Sequence, residues 1–109
     1  MDNKVDEIIL KLAKAFNRVF SDIKGFYIFG IHSDGELHPD EDIEIVALFE
    51  SEDKSKREQI WPIVGKIETE SDVCIDLYPY TQQQFEDDEE VYHLAVKEGL
   101  EYNSKGLRV

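Results

Sequence analysis

Apolar positions recur every three or four residues from Val5 to Ile23: Val5, Ile8, Ile9, Leu12, Phe16, Val19, Phe20 and Ile23, with Lys4, Glu7, Lys11, Lys14 and Arg18 between them. That period predicts an amphipathic helix lying on a core, and Gly25 is read as its stop. The pattern then changes. Phe26-Tyr27-Ile28-Phe29 is a short apolar run ending at Gly30, which reads as a buried strand. Residues 30–41 (GIHSDGELHPDE) carry Gly, Ser, Asp and Pro, the composition of a loop. From Asp42 the chain alternates: Ile43, Ile45, Ala47 and Phe49 fall on one strand face, and Asp42, Glu44, Val46 and Leu48 on the other. Val46 and Leu48 are apolar as well, so the far half of this strand is expected to be buried on both sides, as in a sheet covered by helices.

Ser51 to Asp53 supply N-caps for a helix over 54–70 with Ile60, Ile63, Val64 and Ile67 as its inner stripe. Pro62 interrupts that stripe, which predicts a kink or two short helices, and Trp61 beside it reads as a core or rim aromatic. Val73-Cys74-Ile75-Asp76-Leu77-Tyr78 is a third strand that Pro79 should stop. Thr81 and Gln84 have the spacing of a capping box, opening a third helix over about 82–98 with Phe85, Tyr92, Leu94 and Ala95 inward. The EDDEE run at 86–90 reads as a solvated face and helix-start charge. Gly99 ends that helix, Leu100-Glu101-Tyr102 can add an edge strand, and the last residues are expected to be loose. The order α-β-β-α-β-α, with a final β, predicts a single α/β (α+β) domain over 1–109: a small mixed sheet of three or four strands packed with about three helices. The helix joining the second and third strands makes those two parallel neighbours.

Charge narrows the functions open to such a domain. With 12 Lys+Arg against 25 Asp+Glu the net charge is −13, which opposes binding to a long nucleic acid, where basic side chains must neutralise phosphates. It suits a metal-dependent protein, one with a basic protein partner, or simply a soluble protein. Cys74 is the only cysteine, so neither an internal disulfide nor a cysteine zinc cluster can form, and it reads as a buried, inert thiol of a reducing compartment. No stretch has the length or apolarity of a membrane span or signal peptide, and the expected location is the cytoplasm.

The candidate chemistry is carried by carboxylates. Asp42 and Glu44, two apart, project from one face at the start of their strand, and a parallel neighbour would bring Asp76 to meet them. Three converging carboxylates repel one another unless a cation joins them, and Mg²⁺ takes a few carboxylates together with water and substrate phosphates. A pair of such ions about 3.5–4 Å apart clamps the attacking and leaving oxygens of a phosphoryl transfer. His32 and His38 lie in the loop before Asp42 and read as exposed; His93 reads as a helix-surface residue.

In FGIHSDGELHPDEDIEIVALF a strand ends at Gly30 and ten residues separate Ile31 from Asp42. This resembles the nucleotidyltransferases of the DNA polymerase beta superfamily in their minimal branch, whose pattern is a strand, Gly-Ser, a spacer of that length, then Asp-x-Asp. Phe29, Gly35, Pro39 and Asp40 align without a gap, CIDLYPY resembles the strand of the third carboxylate, and EGLEY at 98–102 resembles the domain's end. The resemblance implies Asp42, Glu44 and Asp76 as ligands of Mg²⁺ or Mn²⁺. It implies Asp76 as the catalytic group that activates an acceptor hydroxyl, and Gly30 and Ile31 as the phosphate-binding corner for ATP or another NTP. It also implies a partner, a small helical HEPN-type protein for which the minimal nucleotidyltransferase is the antitoxin. Three positions depart from the pattern. Ile31 replaces the serine and offers no hydroxyl, Glu44 replaces an aspartate and is one methylene longer, and Asp34 stands where a basic residue is common. Three functions follow: transfer of a nucleoside monophosphate to a protein or small-molecule hydroxyl, an inactive module of the same fold that neutralises a partner by contact, or an acidic fold with an unrelated role if the three carboxylates do not converge.

Overall fold

The computed structural model describes residues 4–30 and 42–109. Its elements are α1 (Lys4–Val19), β1 (Ile23–Phe29), β2 (Asp42–Phe49), α2 (Lys54–Ser71), β3 (Cys74–Thr81), α3 (Gln82–Asp87), α4 (Glu89–Glu98) and β4 (Leu100–Asn103). The strands form one mixed sheet in the order β3-β2-β1-β4. β1 is antiparallel to β2 and β4, whereas β2 and β3 run parallel across the α2 crossover. Two helical layers sandwich the sheet. The larger core joins α1 and α2 to Phe26, Ile28, Ile43, Ile45, Ala47, Phe49, Ile75 and Leu77. The smaller joins α3 and α4 to Phe29, Val46 and Leu48. The burial of Val46 and Leu48 on that second side is the two-sided cover expected from their apolarity.

Several elements end where their surroundings, rather than their composition, dictate. α1 stops at Val19, and Ile23 and Gly25, expected in and just after the helix, belong to β1. Gly25 faces Asn103 of β4, and a Cβ there would lie 2.8 Å from the Tyr102 carbonyl oxygen, so this glycine permits close strand approach rather than stopping a helix. α2 runs unbroken through Pro62. Pro62 and Glu58, whose carbonyl the proline leaves without its usual donor, are both exposed, and water can serve that group, while Ile60, Val64 and Ile67 hold both halves on the core. Trp61 stands half exposed on the outer side of the same helix.

β3 likewise continues past Pro79 to Thr81. It is an edge strand, so a residue without an N–H is tolerated there. The edge is closed by its surroundings: Glu68 Oε2 accepts from the Ile75 N–H at 2.8 Å and Gln84 Oε1 from the Thr81 N–H at 2.9 Å. The capping box of Thr81 and Gln84 forms as the spacing predicts. The helix it opens is divided, because Asp88 leaves helical geometry (φ −87°, ψ 81°) and caps α4 by accepting from the Val91 N–H. Its other carboxylate oxygen accepts from the Tyr80 hydroxyl at 2.6 Å. Glu86, Asp87, Glu89 and Glu90 are exposed, as expected of the acidic run.

The C-terminal residues are tied rather than loose. Val109 N–H donates to the Glu101 carbonyl at 3.0 Å, Asn103 N–H donates to the Leu107 carbonyl at 2.8 Å, and Arg108 reaches back to Asp6 of α1. No described helix is long and apolar enough to cross a membrane.

Candidate functional site

Side-chain alternation and the parallel β2–β3 register together build the site. Glu44 pairs with Asp76, and Asp42 pairs with Cys74 one step nearer the strand start. All four residues lie on the face that carries Val46, Leu48, Tyr78 and Tyr80 further along. α3 and α4 cover the Val46–Leu48 half of that face and leave the first half open, so Asp42 and Asp76 are exposed and Glu44 is half-buried. The three carboxylates predicted from the strand pattern therefore share one end and one face of the sheet, as adjacent parallel strands require.

Gly30 closes the corner from β1. Phe29 pairs with Glu44 across the antiparallel ladder, and Gly30 follows with φ +75°. A Cβ at Gly30 would meet Glu44 Oε2 at 3.2 Å in a backbone conformation that side chains rarely adopt, so the chain can turn beside this carboxylate only with glycine there. Ile31, His32, Asp34, Gly35, His38, Pro39 and Asp40 lie outside the described residues.

Tyr78 is the neighbour that strand patterning alone did not single out. Its hydroxyl donates to Glu44 Oε1 at 2.9 Å, and its ring stacks on Phe29 at 6.2 Å between centroids. Burial, then the Glu44 hydrogen bond and charge, then Asp76, push the Tyr78 hydroxyl well above the ordinary tyrosine range, so it stays a donor. The usable signal was its place two residues after Asp76, on the same face; its partner depends on the cross-strand register.

Cys74 corrects the reading of a buried thiol: it is exposed, at the uncovered start of an edge strand. The negative charge of Asp42 foremost raises its pKa, so the thiol form is favoured.

The donor set suits a hard divalent cation: three carboxylates, with no basic side chain at the strand positions between or beside them. Among the described residues no three His, Cys, Asp or Glu side chains are gathered closely enough to hold an ion. Glu44 Oε1 accepts from the Tyr78 hydroxyl, while Glu44 Oε2 lies beside Gly30. Backbone register thus brings Asp42, Glu44 and Asp76 to one face of the sheet.

This sheet, with paired carboxylates at a strand start after a glycine corner and a third on the parallel neighbour, is the framework of a nucleotidyltransferase domain. The chain belongs to that family, whose pattern matches residues 9–102. Its fold is also similar to the crystal structure of the toxin–antitoxin MntA–HpeT in a form with two aspartates, two positions apart, changed to glutamate. The TM-score is 0.63 at 23% identity, over 88% of this chain and 70% of that one. No curated protein matches the chain in sequence.

Proposed function

We propose that this protein is a metal-dependent nucleotidyltransferase that moves a nucleoside monophosphate from ATP or another NTP to a hydroxyl of a protein or small molecule. The observation that carries this reading is the β2–β3 register, which sets Glu44 against Asp76 with Asp42 two residues before Glu44 on the same face. Asp42, Glu44 and Asp76 would hold Mg²⁺ or Mn²⁺, which when bound would neutralise the carboxylates and the triphosphate charge. Asp76 accepts the proton of the acceptor hydroxyl. That oxygen bonds to the α-phosphorus, the bond from the α-phosphorus to its bridging oxygen breaks, and pyrophosphate leaves. Gly30, whose missing side chain lets the backbone turn beside Glu44, marks with Ile31 the corner for the triphosphate. The fold's likeness to a toxin–antitoxin protein supports the role of antitoxin, and the partner and place we assign to it are a small helical HEPN-type protein and the cytoplasm.

Calorimetric titration of Mn²⁺ into the wild type and Asp42→Asn tests the ligand set, with a saturable heat expected only from the wild type. Equal heats would remove these residues from any metal site. Transfer of α-labelled phosphate from ATP to partner protein tests the chemistry.

The Tyr78–Glu44 hydrogen bond and Ile31 favour a second reading, a contact-acting module without transfer. It is distinguished by partner inhibition that survives Asp76→Asn.

A further inference from the structure

On the side of the sheet away from the carboxylates, α1 and α2 enclose an open groove of about 380 Å³. Its floor is apolar: Ala15 and Val19 from α1 and Ile63 and Ile67 from α2. Val19, in phase with the helix stripe, is nonetheless 49% exposed and covers none of the core, because it faces this groove. Around the floor stand Lys11, Lys14, Arg18 and Lys66, with Glu70 as the one acid.

The sign of that rim is opposite to the rest of the molecule. Four of the 12 basic residues line one groove in a chain of net charge −13. Elsewhere the chain's own acids satisfy several cations: Lys24 with Glu50, Lys56 with Asp22, Arg57 with Glu52 and Arg108 with Asp6. In the groove, Lys66 stands 4.0 Å from Glu70, and Lys11 donates to the Ser71 hydroxyl at 3.5 Å. Lys14 and Arg18 have no acid partner among the described residues. Among the described residues, a chain with surplus carboxylates thus leaves these cations open to an external partner.

The geometry points to this groove as the docking site for an acidic amphipathic helix of a partner protein. An apolar floor between two helices, rimmed by cations, complements a helix with an apolar stripe flanked by Glu or Asp. The lining of α1 from Lys11 to Val19 spans about 12 Å, a little over two turns of such a helix. A nucleic acid is the poorer match, since the floor is apolar and the surrounding charge repels phosphate. The site lies across the sheet from Asp42, Glu44 and Asp76 and does not depend on their chemistry.

The test uses the whole protein and a labelled synthetic helical peptide, with Leu at i, i+3, i+4 and i+7 and Glu elsewhere, followed by fluorescence anisotropy. Wild-type protein is expected to bind this peptide in preference to a scrambled peptide of equal composition. Lys14→Glu with Arg18→Glu is expected to weaken binding by roughly tenfold or more, and Lys97→Glu on α4, outside the groove, by less than about twofold. Val19→Asp should weaken it as well, since the floor then repels the stripe. All these positions are exposed, and unchanged melting curves would confirm that the variants fold. Failure of the wild type to bind, equal binding of the scrambled peptide, or equal losses from Lys97→Glu and the groove pair would overturn the proposal. A single-stranded oligonucleotide that displaces the peptide and shows the same groove-variant loss would assign the groove to a polyanion instead.

Discussion

The two faces of β2 carry different duties. Ile43, Ile45, Ala47 and Phe49 point toward α1 and α2, where every position is buried and the rings of Phe16, Phe20 and Phe49 meet at 5.4–6.0 Å. The other face is divided along its length. Val46 and Leu48 are sealed under α3 and α4, whereas Asp42 and Glu44 emerge beyond the reach of those helices. One strand can thus stabilise the domain and present charge because its side chains alternate and its second cover is shorter than the sheet. Removing atoms from the sealed face should cost stability, and changing the open end should cost binding.

The sharpest way to break that contrast is Phe16→Ala. This ring is fully buried against Phe20, Phe26 and Phe49, and its loss should destabilise the fold by about 3–5 kcal/mol, read from urea midpoints. Asp76→Asn should change the midpoint by less than about 0.5 kcal/mol. If both substitutions are equally damaging, the α1–α2 core and the carboxylate end of the sheet do not divide stability from binding.

Ile31→Ser sharpens the comparison at the open end. A serine hydroxyl donating to a charged phosphate contributes roughly 1.5–3 kcal/mol, which is about one to two orders of magnitude in triphosphate affinity. Calorimetry with ATP and Mn²⁺ on both proteins checks it. Tight binding and turnover by the wild type would show that isoleucine is tolerated at this corner.

On the α1–α2 side, Asp22 offers a pH test. Burial opposes its charge, but Lys56, whose Nζ lies 2.5 Å from Oδ2, and the Ser51 N–H outweigh it and lower its pKa. Lys56 also lies over the Phe49 ring at 4.6 Å, so the pair is anchored on the core. A lowered folded pKa means that stability is present above the unfolded value of about 3.9 and is lost as pH falls through the folded one. Asp22→Asn should therefore cost about 1 kcal/mol near neutral pH and progressively less in acid, measured as urea midpoints at about pH 7 and pH 3. Asp6 shifts the same way, burial again being outweighed, here by Tyr102 and Arg108. An identical pH profile for wild type and Asp22→Asn would remove Asp22 from the acid transition.

The smallest expected effect is a gain. Gly65 sits inside α2 with nothing within 4 Å of the place a methyl group would occupy, so Gly65→Ala should stabilise the domain by about 0.5–1 kcal/mol, read as a rise in the urea midpoint. Gly25→Ala should do the reverse, because its Cβ would strike the Tyr102 carbonyl.

Much of this was determined by local sequence. The three- and four-residue period placed α1, the alternation of DIEIVALF put Asp42 and Glu44 on one face, and Thr81 with Gln84 announced the start of α3. Each depends on contacts within a few residues, where spacing alone sets geometry. Tertiary structure decided the rest. β1 reaches back to Ile23 because β2 and β4 offer partners, and β3 passes Pro79 because it is an edge. Asp88 splits the last helix because its carboxylate accepts from the Tyr80 hydroxyl through one oxygen and from the Val91 N–H through the other. The facing of Glu44 and Asp76, and the hold of Tyr78 on Glu44, come from residues more than thirty positions apart. Side-chain direction is a local property of a strand, but which side chain it meets is set only when another strand is laid beside it.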